Sequence, residues 1–108
     1  MELTDKFELF MRECFPVLTK AEEAIYEVTG ITLEQMRSKS RIAEYVYARV
    51  IFWNLCHKDV QSSTYLSSYL NRTHATGCFY GSDYIANHEY DFIFQNMLKE
   101  VTNVFNSK

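Results

Sequence analysis

Only three glycines and one proline are spread over these 108 residues. A barrel or sandwich needs many tight turns, and this chain lacks the residues that make them. Long stretches free of breakers, joined by short polar connections, suit a helical domain instead. Hydrophobic residues make up 47% of the chain and aromatics 16%, enough to fill a core. The length allows one domain, not two.

Apolar spacing places the helices. Leu3, Phe7, Phe10, Met11 and Cys14 recur at helical intervals, and Pro16 lies just past them. A second helix is expected from about Leu18 to Val28 on the stripe Leu18, Ala21, Ile25 and Val28, with Gly30 as its C-cap. Thr32 and Gln35 have the spacing of a capping box at the head of a short helix. The longest helix is expected from Arg41 to His57, with Ser40 as its cap and Ile42, Val46, Val50 and Trp53 on one stripe. Its β-branched residues weaken its intrinsic propensity, so burial must hold it, and Trp53 reads as core.

Ser62 or Ser63 then opens a helix through about Leu70, and a turn at Asn71 to Thr73 leads into a helix from His74 to Ala86. Gly77 and Gly81 stand four apart in that helix, which permits a close helix crossing. A last helix is expected from about Glu89 to Val104. Its apolar stripe is Tyr90, Ile93, Phe94, Met97, Leu98, Val101 and Phe105. The expected fold is all-α, a compact bundle of six or seven helices containing a helix-turn-helix.

Charge and cysteine content limit the function classes. The formal net charge is -3, but residues 37 to 72 hold six basic side chains against Glu44 and Asp59. That local excess can steer a polyanion even on an acidic domain. Cys14, Cys56 and Cys78 form no CxxC pair and read as buried free thiols of a reducing compartment. His57, His74 and His88 lack ligand spacing to the cysteines, so neither a metal nor any other cofactor is expected. Nucleophile–base and paired-carboxylate patterns are missing, so no enzyme is predicted. Glu2, Asp5 and Glu8 break any apolar leader, which predicts a cytoplasmic protein without membrane contact.

The segment Leu70 to Thr76 carries the chemistry. Arg72 has the fork that clamps a phosphate or a guanine edge. His74 and Thr76 are short enough for close contact, and Thr73 can cap the second helix. Ser67 and Ser68 are expected to face outward and donate to phosphate oxygens.

On these residues the chain resembles the C-terminal DNA-binding domain (domain IV) of the bacterial chromosomal replication initiator DnaA, a Trp-repressor-like helix-turn-helix fold. Met36-Arg37-Ser38-Lys39-Ser40-Arg41 stands where that family opens its long helix, and Arg49 where it carries an arginine toward the DNA backbone. Asn71-Arg72-Thr73-His74-Ala75-Thr76 stands at the recognition signature and matches it at Arg72, His74 and Thr76. Asn71 replaces a double glycine, Thr73 an aspartate and Ala75 a hydroxyl residue. The resemblance implies a family-like region over residues 17–105 after an N-terminal helix extension at 1–16. It implies a monomer binding double-stranded DNA in replication or regulation through Arg41, Arg49, Ser67, Arg72, Thr73, His74 and Thr76. The alternative, motivated by the acidic net charge and the altered signature, is a protein-interaction domain that kept the fold and lost DNA binding.

Overall fold

Six consecutive residues, Ala48 to Trp53, are buried, so the middle of the longest helix has no solvent face. The structure is a computed structural model that describes residues 5–108, the side chain of Ser82 excepted. In chain order the helices are α1 (Asp5–Cys14), α2 (Val17–Thr29), α3 (Leu33–Arg37), α4 (Ala43–Val60), α5 (Ser63–Tyr69), α6 (His74–Ser82), α7 (Tyr84–Asn87) and α8 (Phe92–Ser107). Among the described residues there is no strand, and the bundle is all-α. Helix α4 is its axis, packed against α2, α3, α5, α6 and α8.

Local chemistry sets most of the boundaries. Gly30 ends α2 in the left-handed region at φ 75°, where its N–H donates to the Tyr26 carbonyl. The capping box on α3 forms as the spacing predicts: Thr32 Oγ1 accepts from Gln35 N at 3.2 Å, and Gln35 Oε1 accepts from Thr32 N at 2.8 Å. Ser62 caps α5, Thr73 caps α6 and Asp91 caps α8.

Several boundaries differ from expectation, and α4 and α8 run on to Val60 and Ser107, past the expected His57 and Val104. Helix α4 starts at Ala43 with no side-chain cap, and Ser40 Oγ instead accepts from Ile42 N at 3.3 Å. The helix expected through Ala86 breaks at Asp83 into α6 and α7. The last helix starts at Phe92 because Asp91 accepts from Phe94 N at 3.1 Å. Leu3, expected on the α1 stripe, lies outside the described residues.

Helix α1 is held by both packing and charge. Met11 is fully buried. Arg12 pairs with Glu8 at 3.4 Å and with Glu22 of α2 at 3.1 Å. Glu22 also accepts from the Tyr69 hydroxyl of α5 at 2.7 Å. Burial raises the Glu22 carboxyl above its ordinary value, against the pull of Tyr69 and Arg12.

Trp53 is 1% exposed, as a core residue should be. Helix α6 crosses directly over its ring. A β-carbon added at Gly77 would lie 2.6 Å from Trp53 Cζ3, and one at Gly81 2.5 Å from Trp53 Nε1. The two glycines therefore set how closely α6 approaches α4. The same contact leaves the Trp53 indole N–H and the Ser67 hydroxyl buried without partners.

The thiols divide. Cys56 is buried, and its burial pushes the thiol well above the ordinary value. Cys14 and Cys78 are exposed, which corrects the expectation that all three are interior. Cys14 is the last residue of α1, and Cys78 lies midway along α6.

Two predictions follow from this packing. Gly77→Ala must push α6 off a rigid indole ring, and should destabilise by about 2 kcal/mol after the helix-propensity gain is included. Gly30→Ala meets open space and should cost about 1 kcal/mol from its left-handed backbone alone. Urea melts followed by tryptophan fluorescence will separate them, because only Gly77→Ala should also change the native Trp53 emission. The second prediction concerns pH. Tyr47 Oη donates to Asp91 Oδ2 at 2.6 Å, tying α4 to the head of α8. That bond, with the Phe94 N–H second, holds the Asp91 carboxyl below its ordinary value, and raises the Tyr47 phenol to about 12. Its stabilisation is present above the ordinary carboxylate value of about 4 and is lost as pH falls through the depressed Asp91 value. It is present below the ordinary phenol value of about 10 and is lost as pH rises through the raised Tyr47 value. The stability gap between the protein and Tyr47→Phe should therefore be flat from about pH 5 to 9 and shrink on both sides.

Candidate functional site

A five-residue helix cannot satisfy its own last carbonyls. Helix α3 is such a helix, and its end faces the turn between α5 and α6. Arg49, reaching across from α4, donates from Nε to the Met36 carbonyl at 2.6 Å and from Nη2 to the Ser38 carbonyl at 2.8 Å. Arg72 closes the same carbonyls from the other side. Its Nη2 donates to Met36 O at 3.3 Å and to Ser38 O, and its Nη1 to Arg37 O at 3.5 Å and to Asn71 O at 2.9 Å. Two guanidinium groups thus cap one helix end.

The third arginine of the cluster runs the opposite way. Arg37 Nε donates to the Tyr69 carbonyl at the end of α5 at 2.7 Å, its guanidinium lies 4.5 Å from the centre of the Tyr69 ring, and its Nη1 pairs with Glu8 at 3.2 Å. Its Nη2 is buried without a partner. Sequence reading placed Arg37 in a motif but missed this role.

The α5–α6 turn is built to present Arg72 to this cage. Arg72 N donates to Ser67 O at 2.8 Å and Asn71 N to Ser68 O at 3.0 Å, the paired bonds of a Schellman close. That geometry needs a left-handed residue between them, and Asn71 supplies it at φ 57°. Asparagine is the non-glycine residue best suited to that backbone, so the turn forms without a glycine.

The seven candidate residues are therefore not brought to one surface. Arg49 is 3% exposed, and burial, with the positive charge of Arg72 second, lowers its guanidinium below the ordinary value. Arg72 is half-buried and bound to carbonyls. Ser67 and Ser68 are buried, which corrects the expectation that they face outward. The reason is that α5 sits between α4 and α6 and has little free face. Thr73 and His74 are exposed and Thr76 is half-buried. Thr73 Oγ1 accepts from Thr76 N at 3.3 Å, and the two hydroxyls lie 3.0 Å apart. His74 Nε2 lies 3.4 Å from Cys78 Sγ. Arg41 is exposed in the connection before α4.

Among the described residues the most exposed large apolar side chains lie elsewhere. Tyr90 is 85%, Phe92 84% and Ile93 66% exposed where α7 passes into α8. Tyr90 and Ile93 were expected on the buried stripe of the last helix. Phe94 and Val101 hold that stripe, and Ile93 is turned one position away from it. Ile93 instead lines an open groove of about 360 Å³ with Val28, Thr29, Glu44, Asn96, Met97 and Glu100.

Among the described residues no group of three metal-ligating side chains converges, and no helix is long and apolar enough to cross a membrane. No family model, curated protein or solved structure matches the chain.

If the arginines serve the fold, removing them must cost stability with no ligand present. Arg72→Ala should lower unfolding free energy by roughly 1.5 kcal/mol and Arg49→Ala by about twice that, since the second also strips a buried helix end. Guanidinium chloride melts in ligand-free buffer provide the check.

Proposed function

We propose that this chain is a protein-interaction domain whose contact face lies at the α7–α8 corner. The observation that carries the reading is the commitment of Arg49 and Arg72 to the carbonyls of Met36 and Ser38. Salt-dependent DNA affinity comes from several cations free to meet phosphates. Here half of the six basic side chains of residues 37 to 72 are turned inward, because Arg37, Arg49 and Arg72 all point at backbone or at Glu8. What the surface does offer is three neighbouring, strongly exposed apolar side chains, Tyr90, Phe92 and Ile93. Aromatic residues of this kind anchor protein contacts.

A second reading keeps the DNA. It is favoured by one observation: Thr73 and His74 remain exposed at the start of α6, and Arg41 is exposed as well. On that reading the chain is a double-stranded DNA binder of the kind the resemblance implies, working through these three residues and Thr76.

One pair of measurements separates the readings. Peptides selected from a displayed random library on the wild-type chain should lose binding to Phe92→Ser/Ile93→Ser, a variant altered only at exposed positions. Labelled duplex DNA at low salt should show no binding at tens of micromolar. Salt-dependent duplex binding that Arg41→Ala and His74→Ala abolish, with no selected peptide depending on Phe92 or Ile93, would overturn the interaction reading.

A further inference from the structure

The groove beside Ile93 has a composition of its own. Its apolar lining comes from Val28 of α2 with Ile93 and Met97 of α8. Two carboxylates, Glu44 at the start of α4 and Glu100 on α8, stand on its lining. Both are exposed, and among the described residues neither makes an ion pair or a hydrogen bond. Ile93, Asn96, Met97 and Glu100 follow one another at helical spacing, so they form one continuous stripe along α8, with Phe92 bordering it at Asn96.

We infer that this groove docks a basic amphipathic segment of a partner protein, an apolar anchor seated on Val28, Ile93 and Met97 with lysine or arginine meeting Glu44 and Glu100. The inference rests on the protein-interaction reading and specifies its partner.

Charge decides between the candidate occupants. A second copy of this chain would meet itself through a two-fold interface, which sets the same patch against itself. That places Glu44 and Glu100 against a surface that is again acidic, and like charges at an apolar contact are repulsive. A basic segment reverses the sign at both points. The same seam already holds such a contact within the chain: Lys108 reaches from the end of α8 to Glu27 at 3.1 Å and to Glu23 at 3.7 Å on α2. The carboxylates of α2 thus accept a lysine at one end of the α2–α8 seam, and Glu44 and Glu100 offer the equivalent at the other.

The groove is also sized for an anchor and not for a whole small molecule. Its volume of about 360 Å³ is at the low end for enclosed ligand sites, and it is open. An amphipathic helix laid along it would use residues at i and i+3 or i+4 as anchors, the usual form of recognition in a groove between helices.

The test uses the whole chain and two labelled synthetic peptides of equal length, one an amphipathic leucine/lysine helix and the other its leucine/glutamate counterpart. Anisotropy is read at low and at physiological salt. The leucine/lysine peptide should bind and the leucine/glutamate peptide should not. Glu44→Gln/Glu100→Gln should weaken the first roughly tenfold at low salt, and Ile93→Ser should weaken it at both salts. Circular dichroism confirms that these surface variants stay folded. Equal binding of both peptides, or binding indifferent to Glu44→Gln/Glu100→Gln, overturns the inference. So does self-association in sedimentation that Ile93→Ser abolishes, which would make the occupant a second copy. If the inference fails while library-selected peptides still require Phe92 and Ile93, the partner class is wrong and the interaction reading stands.

Discussion

The structure turns on the unsatisfied end of a five-residue helix. Helix α3 exposes the carbonyls of Met36, Arg37 and Ser38 with no turn beyond them to supply donors. Buried carbonyls without partners cost about 1–3 kcal/mol each. Arg49 from α4 and Arg72 from the α5–α6 turn meet that demand together. Two like charges are held close in a site sheltered from water, and they are tolerated because each faces the negative ends of carbonyl dipoles. The arrangement joins the connection before α4, the axis of the bundle and the turn that launches α6. Loss of the clamp would release all three at once.

The clamp explains the electrostatics of the surface. A chain with six basic residues between positions 37 and 72 would be expected to show a positive face. Three of the six, Arg37, Arg49 and Arg72, are bonded inward, while Lys39, Arg41 and Lys58 stay exposed. The outward-facing charges that remain along α2, at the head of α4 and on α8 include Glu23, Glu27, Glu44 and Glu100. The α2–α8 seam is thus acidic, with exposed aromatic and aliphatic side chains at one end.

Much of the fold was legible in the sequence, and the reason is local. Gly30, the Thr32–Gln35 box, Ser62 and Thr73 each mark a helix end through chemistry that acts over three or four residues. The stripe Leu18, Ala21, Ile25 identified the inner face of α2 for the same reason. The spacing of Gly77 and Gly81 announced the close crossing on Trp53, although it could not name the ring beneath. The sites were less legible because they depend on distant elements. A periodicity argument gives every helix a wet face, but α4 is surrounded, so Arg49 had no surface to occupy. Arg72 read as a turn arginine because the carbonyls it serves lie more than thirty residues upstream. Tyr90 and Ile93 read as core because apolar spacing alone starts the last helix near Glu89. Asp91 moved it, and nothing covers the residues beside it.

The central claim is that the guanidinium groups of Arg49 and Arg72 belong to the fold and not to a ligand. Hydrogen exchange of arginine side-chain N–H groups, followed by ¹⁵N-resolved NMR on the ligand-free chain, tests it directly. Arg41, exposed and unpaired among the described residues, is the internal reference. The account predicts separate, slowly exchanging side-chain signals for Arg49 and Arg72 while Arg41 exchanges fast. Exchange of Arg49 and Arg72 as fast as that of Arg41 would contradict it, and would return both arginines to the surface as groups free to bind.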